Sequence, residues 1–274
     1  MQSHRFIQTN LTNPGTRTKP FRVWFSPTPF VIASLLDNAK RVAAGVANTP
    51  RPVFLSLSGG LDSEFVLKTF SQIGARITPI IVVSPFNSTE SDYALSLCEL
   101  YNTPPVVLRY DSKPAFIAEL YSRARQYNIN SLISCVTMLA AEYAMAYCGD
   151  LVTGHCDPFG LTTTYGTIRT VDSIPIPEML EICEYDFYIE TFFPTLTGSL
   201  LGIDAGVYYA LLSEISHTLP YEEAKAGLYD IPTRKKSSWD IELYTMNARL
   251  LQDSDRHYNI PKSHVMQFLS QYKI

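Results

Sequence analysis

Apolar positions in the first half of the chain alternate between two spacings. Val31, Leu35, Val42 and Val46 fall at steps of four, seven and four, one face of a helix, and predict a helix from Pro29 to about Ala47. The apolar run 52–57 predicts a strand that stops abruptly at Ser58-Gly59-Gly60. Helical spacing then returns through Phe65, Val66, Phe70 and Ile73. A second run, 77–83, leads to a helix whose buried stripe is Ala94, Leu97, Cys98 and Tyr101, and a third strand follows at 106–108. Two more helices are predicted from Phe116, Ile117, Leu120 and Ala124, and from Leu132, Val136, Leu139, Tyr143 and Tyr147. Residues 150–154 then read as another strand leaving into a loop at Gly154. Strands alternating with helices predict an α/β fold, a parallel sheet with helices on both faces. In such sheets ligands bind outside the carboxyl ends of the strands, where both Gly59-Gly60 and Gly154 fall.

The flanks differ from this core. Residues 1–28 are rich in Thr, Asn and Pro, and the run 21–25 between Pro20 and Pro27 predicts an arm or edge hairpin. Strand signals become scarce beyond residue 160. Ile203, Val207, Leu211 and Ile215 mark one helix, and Val265, Phe268, Leu269 and Tyr272 another. The expected organisation is an arm over 1–28, a core domain over 29–195 and a mostly helical extension over 196–274.

Composition narrows the function classes. A formal net charge of −4 provides no general attraction to nucleic-acid backbones, and the only dense basic stretch is the short Arg234-Lys235-Lys236. Nucleic acid is therefore not the favoured partner. The five cysteines are odd in number and form no C-x-x-C pair, so neither a disulfide framework nor a cysteine zinc site is indicated. No apolar run approaches the roughly 18–20 residues of a membrane span, and no signal-peptide core follows Met1. The expectation is a soluble protein of a reducing cytoplasm.

The chemistry concentrates at Ser58-Gly59-Gly60-Leu61-Asp62-Ser63. Glycine lets backbone approach a phosphate, and the first N–H groups of a helix point outward. Ser58 and Ser63 add hydroxyls. Asp62 among these donors suggests a bound cation, most simply Mg²⁺ on phosphate oxygens. A plain turn with Asp62 or Ser63 capping the helix is the structural alternative.

This hexapeptide resembles the S-G-G-x-D-[ST] motif of the PP-loop ATP pyrophosphatase superfamily. Within it the chain looks most like the synthetase domain of asparagine synthetases and β-lactam synthetases: a helix precedes the motif, Leu57 and Leu61 flank the glycines, and residues 90–101 resemble the helix after the second strand. The likeness covers about residues 29–160 and implies a sheet of about five parallel strands. It further implies that Ser58, Gly59, Gly60 and Ser63 hold the pyrophosphate moiety of ATP, that Asp62 coordinates Mg²⁺, and that backbone near Leu57, Val83 and Ser84 frames the adenine. Thr153-Gly154-His155-Cys156-Asp157 looks like the family's second loop, with Gly154 and His155 near the adenylate and Asp157 either a metal ligand or a turn-forming Asp before Pro158. Here the spacing departs from G-x-x-x-D-E by one residue, and Pro158 replaces the second acid. A C-terminal basic residue neutralises charge in those synthetases, which makes Lys235 and Lys236 the catalytic candidates, against a solvated basic turn.

The resemblance implies a ligase that cleaves ATP to AMP and pyrophosphate, adenylating a carboxylate or carbonyl oxygen for attack by ammonia or an amine. Gln2 follows Met1, so the N-terminal cysteine of a fused glutaminase is absent; ammonia would come free or from a separate glutaminase. The T-G-H segment is also similar to tRNA-modifying members. Cys135, near a helix start that lowers a thiol pKa, and Cys156 would then serve sulfur transfer, although a buried inert cysteine is the commoner case. A non-catalytic nucleotide-binding module is the remaining alternative. The run 185–190 reads as a half-buried strand or contact surface, or as the lining of a substrate pocket.

Overall fold

Ser34 starts the first helix. Its hydroxyl accepts from the Asp37 N–H at 3.1 Å, so α1 (Leu35–Ala47) begins at Leu35 rather than at Pro29. The computed structural model describes residues 33–127, 132–154, 205–214, 219, 221–233 and 243, with the backbone of five strands at 7–9, 23–25, 179–183, 196–199 and 257–261. The first two of these, β1 (Ile7–Thr9) and β2 (Val23–Phe25), pair antiparallel, as the arm's strand-like run predicts.

The core alternates as the apolar spacing requires: β3 (Val53–Ser56), α2 (Leu61–Gln72), β4 (Thr78–Val83), α3 (Ser88–Leu100), β5 (Val106–Arg109), α4 (Lys113–Gln126), α5 (Leu132–Ala146) and β6 (Asp150–Thr153). Beyond it lie β7 (Met179–Cys183), β8 (Leu196–Ser199), α6 (Ala205–Glu214), α7 (Tyr221–Tyr229) and β9 (His257–Pro261). One five-stranded sheet runs β5-β4-β3-β6-β8 with every pair parallel. The chain builds outward from β3 through β4 to β5, then returns to place β6 on the other side of β3. The order therefore reverses between β3 and β6, and the crevice at their carboxyl ends is where such sheets take ligands.

Alternate residues of the central strands face opposite layers. Leu55 and Val152 join Leu35, Ala39, Phe65, Phe70, Val207, Leu211 and Tyr229 in one buried cluster. Phe54 and Leu151 join Ile80, Phe116, Leu120, Met138 and Leu139 in the other. At the sheet edge the β5 pattern weakens, with Val107 37% exposed.

The segment after residue 195 is not helical alone. Strand β8 closes the sheet against β6 with a register shift between Leu151 and Val152, and β9 pairs antiparallel with β7. Leu-Thr-Gly-Ser carries no run of large apolar residues, so a short edge strand there leaves no periodic signal. The helix expected over 203–215 is α6, whose Glu214 carboxylate accepts from the Leu35 N–H at 3.1 Å and so holds the start of α1. The last helix, expected from Val265 to Tyr272, lies outside the described residues. No described helix is long and apolar enough to cross a membrane.

Candidate functional site

Strand β3 delivers the chain to the crevice with Leu57 still on the ladder, its N–H donating to the Ile80 carbonyl at 3.0 Å. Two glycines then turn it for different reasons. Gly59 has φ +83°, and a Cβ there would lie 2.5 Å from the Glu90 carbonyl oxygen of α3, so only glycine fits. Gly60 is the extended N-cap of α2 and supplies no side-chain cap to that helix. A Cβ on Gly60 would meet only the Ser58 hydroxyl, at 3.4 Å. The Ser58 and Ser63 hydroxyls lie 3.1 Å apart; Ser58 accepts from the Gly60 N–H at 3.3 Å and Ser63 donates to the Gly60 carbonyl at 3.0 Å. The exposed Ser58 hydroxyl and a helix start without an N-cap side chain are thus gathered on one turn, with the buried Ser63 hydroxyl, 3% exposed, behind them, an arrangement suited to a phosphate. Gly60→Val is accordingly expected to unfold within about 1 kcal/mol of the wild type, because its Cβ makes only an ordinary van der Waals contact with the Ser58 hydroxyl. Its nucleotide affinity should fall at least about tenfold, because a branched side chain occupies the approach to the turn; calorimetry beside a thermal melt checks both.

The second loop is beside the first. Ser56 pairs with Thr153 in the β3–β6 register, and the first residue after β6 is Gly154. A Cβ on Gly154 would fall 2.5 Å from the Ser63 nitrogen and 2.7 Å from the Asp62 carbonyl carbon, so this glycine exists to let β6 lie against the start of α2. His155, Cys156 and Asp157 lie outside the described residues, as do Lys235 and Lys236 and the aromatic run 185–190.

The Asp62 carboxylate reaches α7. Its Oδ2 accepts from Lys225 Nζ at 2.7 Å and its Oδ1 from the Tyr229 hydroxyl at 2.8 Å. Lys225 is 3% exposed, between buried Ala224 and Ala226, and a buried ammonium is tolerated only when paired. The Tyr229 ring stacks on Phe65 at 4.3 Å and 18°. On the far side Lys68 donates to the Tyr229 carbonyl at 3.1 Å, to the Asp230 carbonyl, and to the Asp230 carboxylate at 2.8 Å, which holds the Asp230 carboxyl below its usual pKa. Sequence reasoning missed Lys225, Tyr229 and Lys68. The available signal was Ala-Lys-Ala, a lysine among small residues with a tyrosine four positions on, which shares its helix face.

No protein-family model matches the chain, and no curated protein does. Among solved structures it is similar to NMN synthetase from Francisella tularensis, at 24% identity and a TM-score of 0.35 over 44% of this chain and 54% of that one, so it spans about half of that protein's length. It is similar to the NH3-dependent NAD synthetase from Campylobacter jejuni subsp. jejuni in complex with nitrate, at 15% identity and a TM-score of 0.40 over 87% of this chain and 90% of that one. The glutamine-dependent NAD+ synthetase from Acinetobacter baumannii in complex with ADP follows at 13% identity and a TM-score of 0.33, over 43% and 24% of the two chains.

The donor set of the loop limits what a cation would find. Among the described residues no group of three or more His, Cys, Asp or Glu side chains stands close enough to enclose a metal. Asp62 is 25% exposed, and Lys225 and Tyr229 each hold one of its two oxygens. Its partly exposed carboxylate fits at most as one protein ligand to a Mg²⁺ that would be held mainly by phosphate and water.

The groups expected to frame an adenine are largely committed within the protein. The Ser84 N–H and hydroxyl both donate to Asn87 Oδ1, at 2.8 and 2.9 Å, and Ser84 is 3% exposed. The Val83 carbonyl accepts from the Tyr110 N–H at 2.8 Å. The Val83 side chain is half-buried.

Cys135 corrects the expectation of a low thiol pKa. It is fully buried, and burial pushes its thiol up to about 12. Desolvation of the thiolate outweighs its place in the first turn of α5. Iodoacetamide at pH 8 is expected to modify the exposed Cys148 and leave Cys135 intact until the chain unfolds, since burial both shields the Cys135 thiol and disfavours its thiolate. Peptide mapping after timed labelling reads the order.

Proposed function

We propose that the chain binds ATP with its phosphates on residues 58–63 and cleaves it between the α- and β-phosphates, activating a carboxylate or carbonyl oxygen as an adenylate. Ammonia or an amine then displaces AMP, as in asparagine synthetases, with ammonia free or delivered by a separate glutaminase. The observation that carries this reading is the junction of two loops at the sheet's reversal point: Ser58 and Ser63 hydroxyls 3.1 Å apart on an uncapped helix start, with Gly154 pressed against that start.

Each residue has a stated task. Ser58, Ser63 and the first N–H groups of α2 bind and orient the phosphates, while Gly60 keeps their approach open. Asp62 offers one oxygen to Mg²⁺, which would neutralise charge on the departing pyrophosphate. Gly154 and His155 would lie near the adenylate, and Asp157 would be a second candidate for the metal. Lys235 and Lys236 would supply the cation that meets transition-state charge.

A quenched assay with ATP, Mg²⁺, ammonium and a panel of carboxylates tests the reading. AMP and pyrophosphate should form in equal amounts and only with a particular acceptor; ADP and phosphate would contradict it. Lys235→Ala or Lys236→Ala should lower turnover at least about tenfold with little change in ATP affinity, whereas Cys135→Ala should leave AMP formation within about threefold of wild type. The reverse pattern would make sulfur transfer the better account.

A further inference from the structure

A carboxylate inside a phosphate loop is an electrostatic problem before any metal arrives, because it opposes the anion that the surrounding donors attract. Lys225 answers that problem from α7. Its ammonium contacts Asp62 Oδ2 at 2.7 Å and is almost fully removed from water, so the pair is close to neutral as seen from the loop. The other oxygen is fixed separately. Tyr229 donates to Oδ1 at 2.8 Å, and its ring cannot swing away because it is stacked on Phe65 while Lys68 grips the carbonyl behind it. Two partners on two oxygens leave the carboxylate little freedom to rotate.

We propose that Lys225 and Tyr229 are positioning residues for the phosphate loop: Lys225 cancels the Asp62 charge so that pyrophosphate is accepted without metal, and Tyr229 orients the carboxylate for Mg²⁺. The inference rests on the ATP reading above. It assigns the two jobs to different residues, so they separate in experiment. With Lys225→Met the loop carries an uncompensated carboxylate, which repels a bare anion but is neutralised when Mg²⁺ accompanies it. With Tyr229→Phe the charge balance and the ring stack remain, and only the orientation of the carboxylate is lost.

Calorimetry of the full chain with inorganic pyrophosphate, with and without Mg²⁺, distinguishes these effects, with α,β-methylene-ATP as a second probe and thermal melts alongside. Lys225→Met should weaken metal-free pyrophosphate binding at least about tenfold, and by less than about threefold at saturating Mg²⁺, as expected when one member of a desolvated pair is removed. Tyr229→Phe should bind metal-free pyrophosphate like wild type, while the Mg²⁺ concentration for half-saturation rises about fivefold, the scale of one lost hydrogen bond. If Lys225→Met does not fold, Tyr229→Phe decides alone. Equal losses with and without metal in Lys225→Met, or an unchanged Mg²⁺ requirement in Tyr229→Phe, overturn the proposal while leaving the ATP reading in place. A wild-type chain that binds neither probe overturns both.

Discussion

Asp62→Asn is expected to lower ATP cleavage by more than about a hundredfold, a transition-state loss of roughly 3 kcal/mol, while the nucleotide still binds. Asparagine keeps the size of the side chain and a hydrogen-bond acceptor for Lys225 or Tyr229, but removes the charge that a metal needs. It also leaves the Lys225 ammonium uncompensated. Metal-free pyrophosphate should therefore bind as tightly as to wild type or tighter, opposite to the effect of removing the lysine. Asp62→Ala is a poorer test, because it removes the hydrogen-bond acceptor as well as the charge, and breaking a buried pair outright costs up to about 3–5 kcal/mol of stability and mixes folding with chemistry. Steady-state kinetics beside a melt separates the two; near-normal turnover of folded Asp62→Asn would remove Asp62 from the reaction.

The second large effect is expected at Gly154. An alanine Cβ would stand 2.5 Å from the Ser63 nitrogen, and both neighbours there are backbone, so neither can rotate aside. Gly154→Ala should cost about 1–3 kcal/mol, the range of overpacking, and nucleotide affinity should fall more than about tenfold as the start of α2 is displaced. Gly227→Ala is the matched control. It sits within α7 with nothing within 4 Å of its Cβ position, and should stabilise the chain by about 0.5–1 kcal/mol without touching nucleotide binding. Chemical denaturation and calorimetry on the pair measure the contrast. A Gly154→Ala chain as stable and as active as wild type would mean that the two loops do not meet.

The features legible in the sequence are those written over a few consecutive residues. A run of apolar residues into Gly59-Gly60 and back to helical spacing states a strand, a turn and a helix, and the chain folds so. Apolar spacing misplaces the start of the first helix at Pro29, whereas the cap, which Ser34 and Asp37, three apart, mark, puts it at Leu35. The link that completes the loop was not legible, because Lys225 and Asp62 are separated by 163 positions and no periodicity connects them. Ser84 illustrates a different loss: the residue occupies the expected strand end, yet Asn87 three positions later claims its donors through a local turn. Cys135 shows tertiary burial overriding a local rule, with desolvation outweighing the helix start.

The central claim is that ATP's phosphates rest on residues 58–63, and hydrogen–deuterium exchange with α,β-methylene-ATP and Mg²⁺ addresses it most directly. Amides of the first turn of α2, from Gly60 to Glu64, should slow on addition of the analogue, together with the peptide that contains Gly154. Amides on the opposite side of the sheet, in α4 and α5, should not change. Protection confined to another part of the chain, or none at analogue concentrations that give a binding signal, would contradict the account.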